Sequence, residues 1–251
     1  MPQRKERVTG VVIAMPREAR AILGSRTWRN CRGFRILSIK KEGGQSFMFT
    51  ISGTGVKNSS LAAKMLVESG VEELVSTGVS GGLDPSLSSG DMIFSDIVMI
   101  ARDAGRKKRY EVYGGGALSS SILTHVTGNG KIIQQQKILA VSSPVTDAKT
   151  KKQIWQETGA AAADMESAGV AMVADNAGMP FYAVRGICDS ADEDLPCEIV
   201  MCLKENGDVR MSALALACAR KPALVKGLFH MNRGFRKATE GLGKFWGKIL
   251  C

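Results

Sequence analysis

An α/β layer fold in a single catalytic unit is what this 251-residue sequence predicts, and three observations carry it. Short apolar, β-branched runs recur along the chain with helical stretches between them, the alternation expected of a largely parallel sheet. Glycines number 28, above the roughly 7% average, and gather at the ends of those runs, where tight strand-to-helix turns need them. Hydrophobic residues make up 44% and charged residues 23%, the balance of a chain with one substantial core rather than a disordered or fibrous one.

In chain order the predicted strands are Val11 to Ala14, Phe47 to Ser52, Leu74 to Val79, Met92 to Ile100, Lys137 to Ser142, Ala160 to Ala163 and Phe181 to Cys188. A helix is predicted over Lys57 to Ser69, opened by Gly53-Thr54-Gly55 and stopped by Gly70. Another spans Glu166 to Ala177, with Gly178 at its C-cap and Pro180 two residues beyond. Ala101 to Gly116 is basic and turn-rich and reads as an exposed hairpin or flap. From Leu224 onward, Leu224, Leu228, Met231, Phe235, Ala238, Leu242, Phe245 and Ile249 alternate four and three apart, a helical apolar stripe. Gly227, Gly234 and Gly241 recur along it, each lowering helix stability by roughly 0.8 to 1 kcal/mol relative to Ala while permitting close packing.

The formal charge is +10, a surplus that raises nucleic acid, anionic lipid and phosphate as partner classes. Its position matters more than its sum. Residues 221–251 hold seven basic side chains against the single acid Glu240, so they carry +6 and the rest is nearly balanced. This divides the chain into a catalytic domain at 1–220 and a basic amphipathic extension at 221–251. The stripe suits two settings: a membrane interface, with Phe245 and Trp246 in lipid, or a docking face on its own domain or a partner subunit. No specific nucleic acid is expected.

Six cysteines show no CxxC, and only His125 and His230 could join them at a metal, so a zinc site is not expected and free cytosolic thiols are the default. The apolar run Val8 to Met15 is short and is followed by Arg17 and Glu18, so neither a signal peptide nor a membrane span is read here. No GxxxxGK[ST] occurs, which argues against a P-loop hydrolase.

The chemistry is suggested by position. Glu18, the pair Asp164 and Glu166, and Asp189 each follow a predicted strand, and in a parallel α/β sheet such ends meet at one edge, where ligands bind. Singly, each has an ordinary reading: a helix N-terminal acid at Glu166, a first-turn surface residue at Glu18, a loop cap at Asp189. Gly53-Thr54-Gly55 and Thr77-Gly78-Val79-Ser80-Gly81-Gly82 also follow strands and could bring backbone N–H groups to an anion or a sugar hydroxyl.

Five motifs in order carry a resemblance: Ala14-Met15-Pro16-Arg17-Glu18, Ser52-Gly53-Thr54-Gly55, Ser76-Thr77-Gly78-Val79-Ser80-Gly81-Gly82-Leu83-Asp84-Pro85, Asp164-Met165-Glu166-Ser167-Ala168 and Val184-Arg185-Gly186-Ile187-Cys188-Asp189. Over about residues 8–195 the chain resembles the superfamily of nucleoside phosphorylases and methylthioadenosine/S-adenosylhomocysteine nucleosidases. The resemblance implies a three-layer α/β/α domain with a central mixed, partly barrel-like sheet. It also implies cleavage of the N-glycosidic bond of a purine nucleoside, with no metal or organic cofactor, in a homo-oligomer.

Breaking that bond builds positive charge on the ribose and negative charge on the base, so the site must protonate one and stabilise the other. By the family pattern Asp189 is the general acid, kept protonated by a raised pKa in a buried site. Glu166 holds the ribose hydroxyls with Met165 against the sugar, Glu18 activates water, and Val145 lies in the base-stacking segment. Departures bear on the nucleophile. The family serine after Thr-Gly is Val79 here, with Ser80 one step later, and the phosphorylase arginine is Ser76, losses that weaken a phosphate site. Arg17 and Arg20 could supply another clamp for inorganic phosphate, but water is the favoured nucleophile. Asp164 stands where glutamate is common, leaving room near the sugar, and Cys188 replaces a frequent serine as a small buried residue.

The basic tail, the Asp-Met-Glu-Ser motif and Lys149-Thr150-Lys151-Lys152 are similar to the hopanoid-associated phosphorylase-like branch, which implies adenosylhopane as substrate and peripheral contact with the cytoplasmic membrane face. Two alternatives stay open: a phosphorylase acting on ordinary purine nucleosides, and a non-catalytic nucleoside- or membrane-binding protein on the same fold.

Overall fold

The computed structural model describes residues 7–41, 44–104, 107–114, 132–133, 136–202 and 209–250. Strand β1 (Arg7–Ile13) lies between two parallel neighbours, β4 (Gln45–Ile51) and β5 (Glu73–Gly82). Beyond β4 the pairing turns antiparallel through β3 (Phe34–Lys40) and β2 (Arg29–Cys31).

The long strand β5 is where the sheet forks. Over most of its length it pairs in parallel with β12 (Phe181–Asp189), while its last residues, Gly81 and Gly82, pair antiparallel with β11 (Ala160–Asp164). One arm continues from β11 through β10 (Lys137–Ala140) to β7 (Ile97–Ala104), all parallel, and ends on the antiparallel strand β8 (Lys107–Gly114). The other runs from β12 to antiparallel β6 (Met92–Ser95), which meets β9 (Ile132–Ile133). The sheet is therefore mixed rather than largely parallel. Met92 to Ile100, predicted as one strand, is broken at Asp96, where the Ser95 hydroxyl donates to Ile97 O and accepts from Ile97 N–H. The break lets one apolar run serve both arms. The predicted flap is the β7–β8 hairpin; residues 105–106, 115 and 116, like His125 and Cys251, lie outside the described residues.

Alternation along the strands builds the layers. Val12 of β1, Leu74 of β5 and Ala183 of β12 face one core cluster, while Val11, Ile13, Val75 and Val184 face another. The first is covered by α2 (Val56–Glu68) and α4 (Ser167–Asn176), through Ala62, Ala63, Leu66, Ala171 and Ala174. The second is covered by α1 (Pro16–Leu23) and the 27-residue α7 (Leu224–Leu250), through Ile22, Leu23, Leu242, Phe245 and Trp246. Helix α3 (Ala148–Thr158) starts on Asp147, whose carboxylate accepts from Thr150 N–H, and ends on Gly159 in the left-handed region, φ 64°. The short α5 (Cys197–Val200), α6 (Met211–Arg220) and the first turns of α7 form a satellite cluster around Ile199, Leu214 and Leu224.

Of the two settings left open for the tail stripe, docking on its own domain is the one found. Trp246 is fully buried, edge-on to Phe47 and Phe49, and its Nε1–H donates to Thr77 Oγ1 at 3.0 Å. Gly234 and Gly241 bring the helix against the sheet: a Cβ at Gly234 would strike Cys188 O, and one at Gly241 would lie 3.2 Å from Met92 Sδ. Among the described residues no helix is long and apolar enough to cross a membrane.

Candidate active site

Four segments converge beside the fork in β5. Helix α1 begins with Pro16 at its first position, which suits a residue lacking an N–H, and Glu18 turns back over the helix start. Its Oε2 accepts from Met15 N–H at 2.9 Å and its Oε1 from Val79 N–H at 2.8 Å. The side chain is 2% exposed. Gly78 makes room for it, since a Cβ there would lie 2.7 Å from Glu18 Oε1. The N–H that could have received an external anion thus holds the protein's own carboxylate.

Strand β11 delivers the second segment, by a route the parallel-sheet argument did not foresee. It runs antiparallel to β5, so Asp164 arrives one residue beyond the Ala163–Gly81 pair, beside the middle of the site. Glu166 precedes α4, and its Oε1 accepts from Gly55 N–H at 2.9 Å. Gly53 and Gly55 hold positive φ, 83° and 95°, as the turn into α2 requires. The glycine turn therefore does present a backbone N–H to an anion, and that anion is Glu166. Met165 is half-buried beside it.

Asp164 is held by the protein's own donors. Its carboxylate accepts from Glu166 N–H, Ser167 N–H, the Ser167 hydroxyl and, at 2.6 Å, Arg185 Nε. Those bonds engage both of its oxygens with the protein itself. Arg185, 1% exposed, also donates from Nη2 to Ser76 Oγ (2.6 Å) and Ser167 Oγ (2.8 Å). Its place in the Val184-Arg185-Gly186 motif does not by itself name these partners. The signal was available: a lone guanidinium inside the apolar run Phe181 to Cys188 must find a buried partner.

Asp189 ends β12, 6% exposed. Lys151 Nζ, from α3, donates to its Oδ2 at 2.7 Å, and the Cys188 thiol donates to Oδ1 at 2.9 Å. Buried Asp189 thus faces the Lys151 ammonium directly. Within Lys149-Thr150-Lys151-Lys152, Lys151 is the lysine that turns inward. Ser80 Oγ is buried and has no hydrogen-bond partner among the described residues, an open valence next to the strand register that holds Asp189. Val79 and Val145 are half-buried, Val145 against the cluster of Leu83, Met99 and Leu139. Arg17 and Arg20 are not gathered here. Both are exposed on the outer side of α1, whose inner side buries Glu18, Ala19, Ile22 and Leu23, and the Arg17 guanidinium lies 5.1 Å over the Phe235 ring.

Electrostatics separate these acids. Burial pushes the Glu18 carboxyl above the ordinary glutamate range, opposed by the Val79 and Met15 N–H groups and by Arg185. Burial, then the neighbouring Asp164 charge, pushes Glu166 up to about 7, against the Gly55 N–H and Arg185. Burial and the Asp189 charge push the Cys188 thiol well up, so it is a proton-bearing donor rather than a nucleophile. Among the described residues no group of three or more His, Cys, Asp or Glu side chains is placed to hold a metal ion.

The forked α/β sheet thus gathers Glu18 from a helix start, Glu166 on a glycine turn and Asp189 from a strand end. The chain belongs to the phosphorylase superfamily, whose family model matches residues 8–220. It is 26% identical over 172 residues to a 5′-methylthioadenosine/S-adenosylhomocysteine nucleosidase of Shewanella sp. (strain MR-7), covering 62% of this chain and 71% of that one. It is 28% identical over 153 residues to the aminodeoxyfutalosine nucleosidase of Campylobacter jejuni, covering 57% and 67%. Its fold matches the futalosine hydrolase of Helicobacter pylori strain 26695 with a TM-score of 0.71 at 17% identity, over 97% of each chain.

Proposed function

We propose that the chain is a purine nucleosidase that cleaves the N-glycosidic bond of a 5′-modified adenosine with water and releases adenine. One observation carries the choice of nucleophile: Glu18 occupies the Val79 N–H and its carboxylate fills the space over Gly78, so a phosphate anion there would meet a buried acid. Glu18 takes a proton from water at the sugar carbon. Glu166, hinged on Gly55, holds the ribose hydroxyls with Met165 against the ring, and Asp189 protonates the departing base. Ser80 Oγ offers a hydrogen bond on the base side. The catalytic unit works as a homo-oligomer, as its family resemblance implies.

The test is adenine release from a panel of 5′-substituted adenosines, adenosylhopane included, with and without phosphate. Release independent of phosphate is expected, and Asp189→Asn lowers turnover by roughly 10² or more. A strict phosphate requirement would replace the nucleosidase with a phosphorylase.

Peripheral membrane contact is a second reading with its own support. The tail stripe is buried, but the satellite cluster exposes Met201, Met211, Leu216, Val225 and Phe229, the last at 71%. Exposed Arg220, Lys221, Lys226 and Arg233 accompany them. Apolar side chains among cations suit an anionic lipid surface, and adenosylhopane would be met there.

A further inference from the structure

From the geometry around Asp189 we infer that Lys151 is a positioning residue for the glycosidic cleavage: its ammonium aims the Asp189 carboxyl and compensates the carboxylate that remains once Asp189 has given up its proton. This rests on Asp189 being the acid of the reaction. Lys151 is 1% exposed on a helix otherwise largely open to water, and each of its three N–H groups has an acceptor: Asp189 Oδ2 at 2.7 Å, Ser190 O at 2.9 Å and Glu193 O at 2.7 Å. Three acceptors demand an ammonium. A buried cation that costs so much desolvation, aimed at one acid, is not general helix chemistry.

The contacts also bear on direction. Oδ2 is taken by Lys151 and Oδ1 faces the Cys188 thiol, so the carboxyl plane has donors at both oxygens. The same ammonium ties Ser190 and Glu193 to α3, and Glu193 meets His230 of α7 at 3.1 Å, so the loop after the acid is braced from two helices. The groups facing the pair are thus Cys188 of β12 and Asp192 with the Ser190 and Glu193 carbonyls of the loop, while His230 of α7 holds the Glu193 carboxylate. In the reaction the C1′–N9 bond breaks with its electron pair leaving on the purine, a purine ring nitrogen takes the Asp189 proton, and water adds to C1′ while Glu18 takes its proton. Lys151 stays protonated throughout. The carboxylate left on Asp189 faces the Lys151 ammonium at 2.7 Å, so the charge it gains is compensated where it forms.

Full-length wild type, Lys151→Met, Lys151→Arg, Asp189→Asn and the Lys151→Met/Asp189→Asn double variant are compared for adenine release from 5′-methylthioadenosine between pH 5 and 9, with melting temperatures alongside. Lys151→Met is expected to lower kcat by about 10² with little change in KM, to move the alkaline limb to higher pH, and to cost almost nothing further in the Asp189→Asn background. Lys151→Arg, which keeps the cation, recovers part of kcat. Equal rate losses from Lys151→Met in both backgrounds, or an unmoved pH limb, would reduce Lys151 to a structural residue and overturn the inference. Full activity in Asp189→Asn would instead remove the acid itself. The double variant, which has no unpaired buried charge, keeps the comparison valid should Lys151→Met alone fold poorly.

Discussion

Glu166 sits between two opposing influences, burial with the Asp164 charge on one side and the Gly55 N–H with Arg185 on the other. The first prevails, so the native protein holds a proton that the unfolded chain has released between pH 4.5 and about 7. The sign follows: a raised carboxyl contributes stability that is present at low pH and lost as pH rises through that window. The melting temperature should fall between pH 4.5 and 7, and less steeply in Glu166→Gln, as read by thermal denaturation at several pH values. A steeper fall in the variant would mean that another group controls the slope. The same substitution should depress adenine release, because an amide cannot accept from two ribose hydroxyls as a carboxylate can. Asp164 shows how a residue's identity leaves its partner undetermined. Two residues from Glu166 in sequence, it is committed to Arg185, and breaking such a buried pair costs about 3–5 kcal/mol.

Helix α7 was legible as a helix from its four-three spacing, and its glycines were legible as a close-packing face. What covers the stripe was not, because periodicity tells which side is apolar and nothing about the neighbour. The cover is the sheet, with Trp246 wedged against Phe47 and Phe49. Trp246→Ala should therefore cost about 3–5 kcal/mol, measured by urea denaturation, and removal of residues 224–251 should prevent folding rather than yield a catalytic core. A folded, active truncation would show that the tail is an appendage after all. The break at Asp96 was hidden for a related reason: nothing local distinguishes one long apolar strand from two that pair with different arms of a fork.

For the molecule as a whole, the charge surplus acquires a location. The buried stripe leaves the cations of α7 on the outer face, near the exposed apolar side chains of the satellite cluster. Flotation with vesicles containing anionic lipid should recover the intact chain, and Val225→Ser with Phe229→Ser should reduce that recovery without changing the fold by circular dichroism. Equal recovery of both, or none from either, would count against the surface as a membrane contact. These point variants are the proper probe, since deleting the helix would take the core with it.

The central strands, the helices α2, α4 and α7 and the glycine turns were decided by the sequence, because each depends on local spacing or on residue type. The tertiary structure alone decided that Arg185 takes Asp164, that Lys151 reaches Asp189 across the fold, that Arg17 turns away to Phe235, and that the basic helix lies against its own sheet. Those are choices of partner between groups distant in the chain. A buried charge or an apolar face states that it needs one, and only the packed fold selects which.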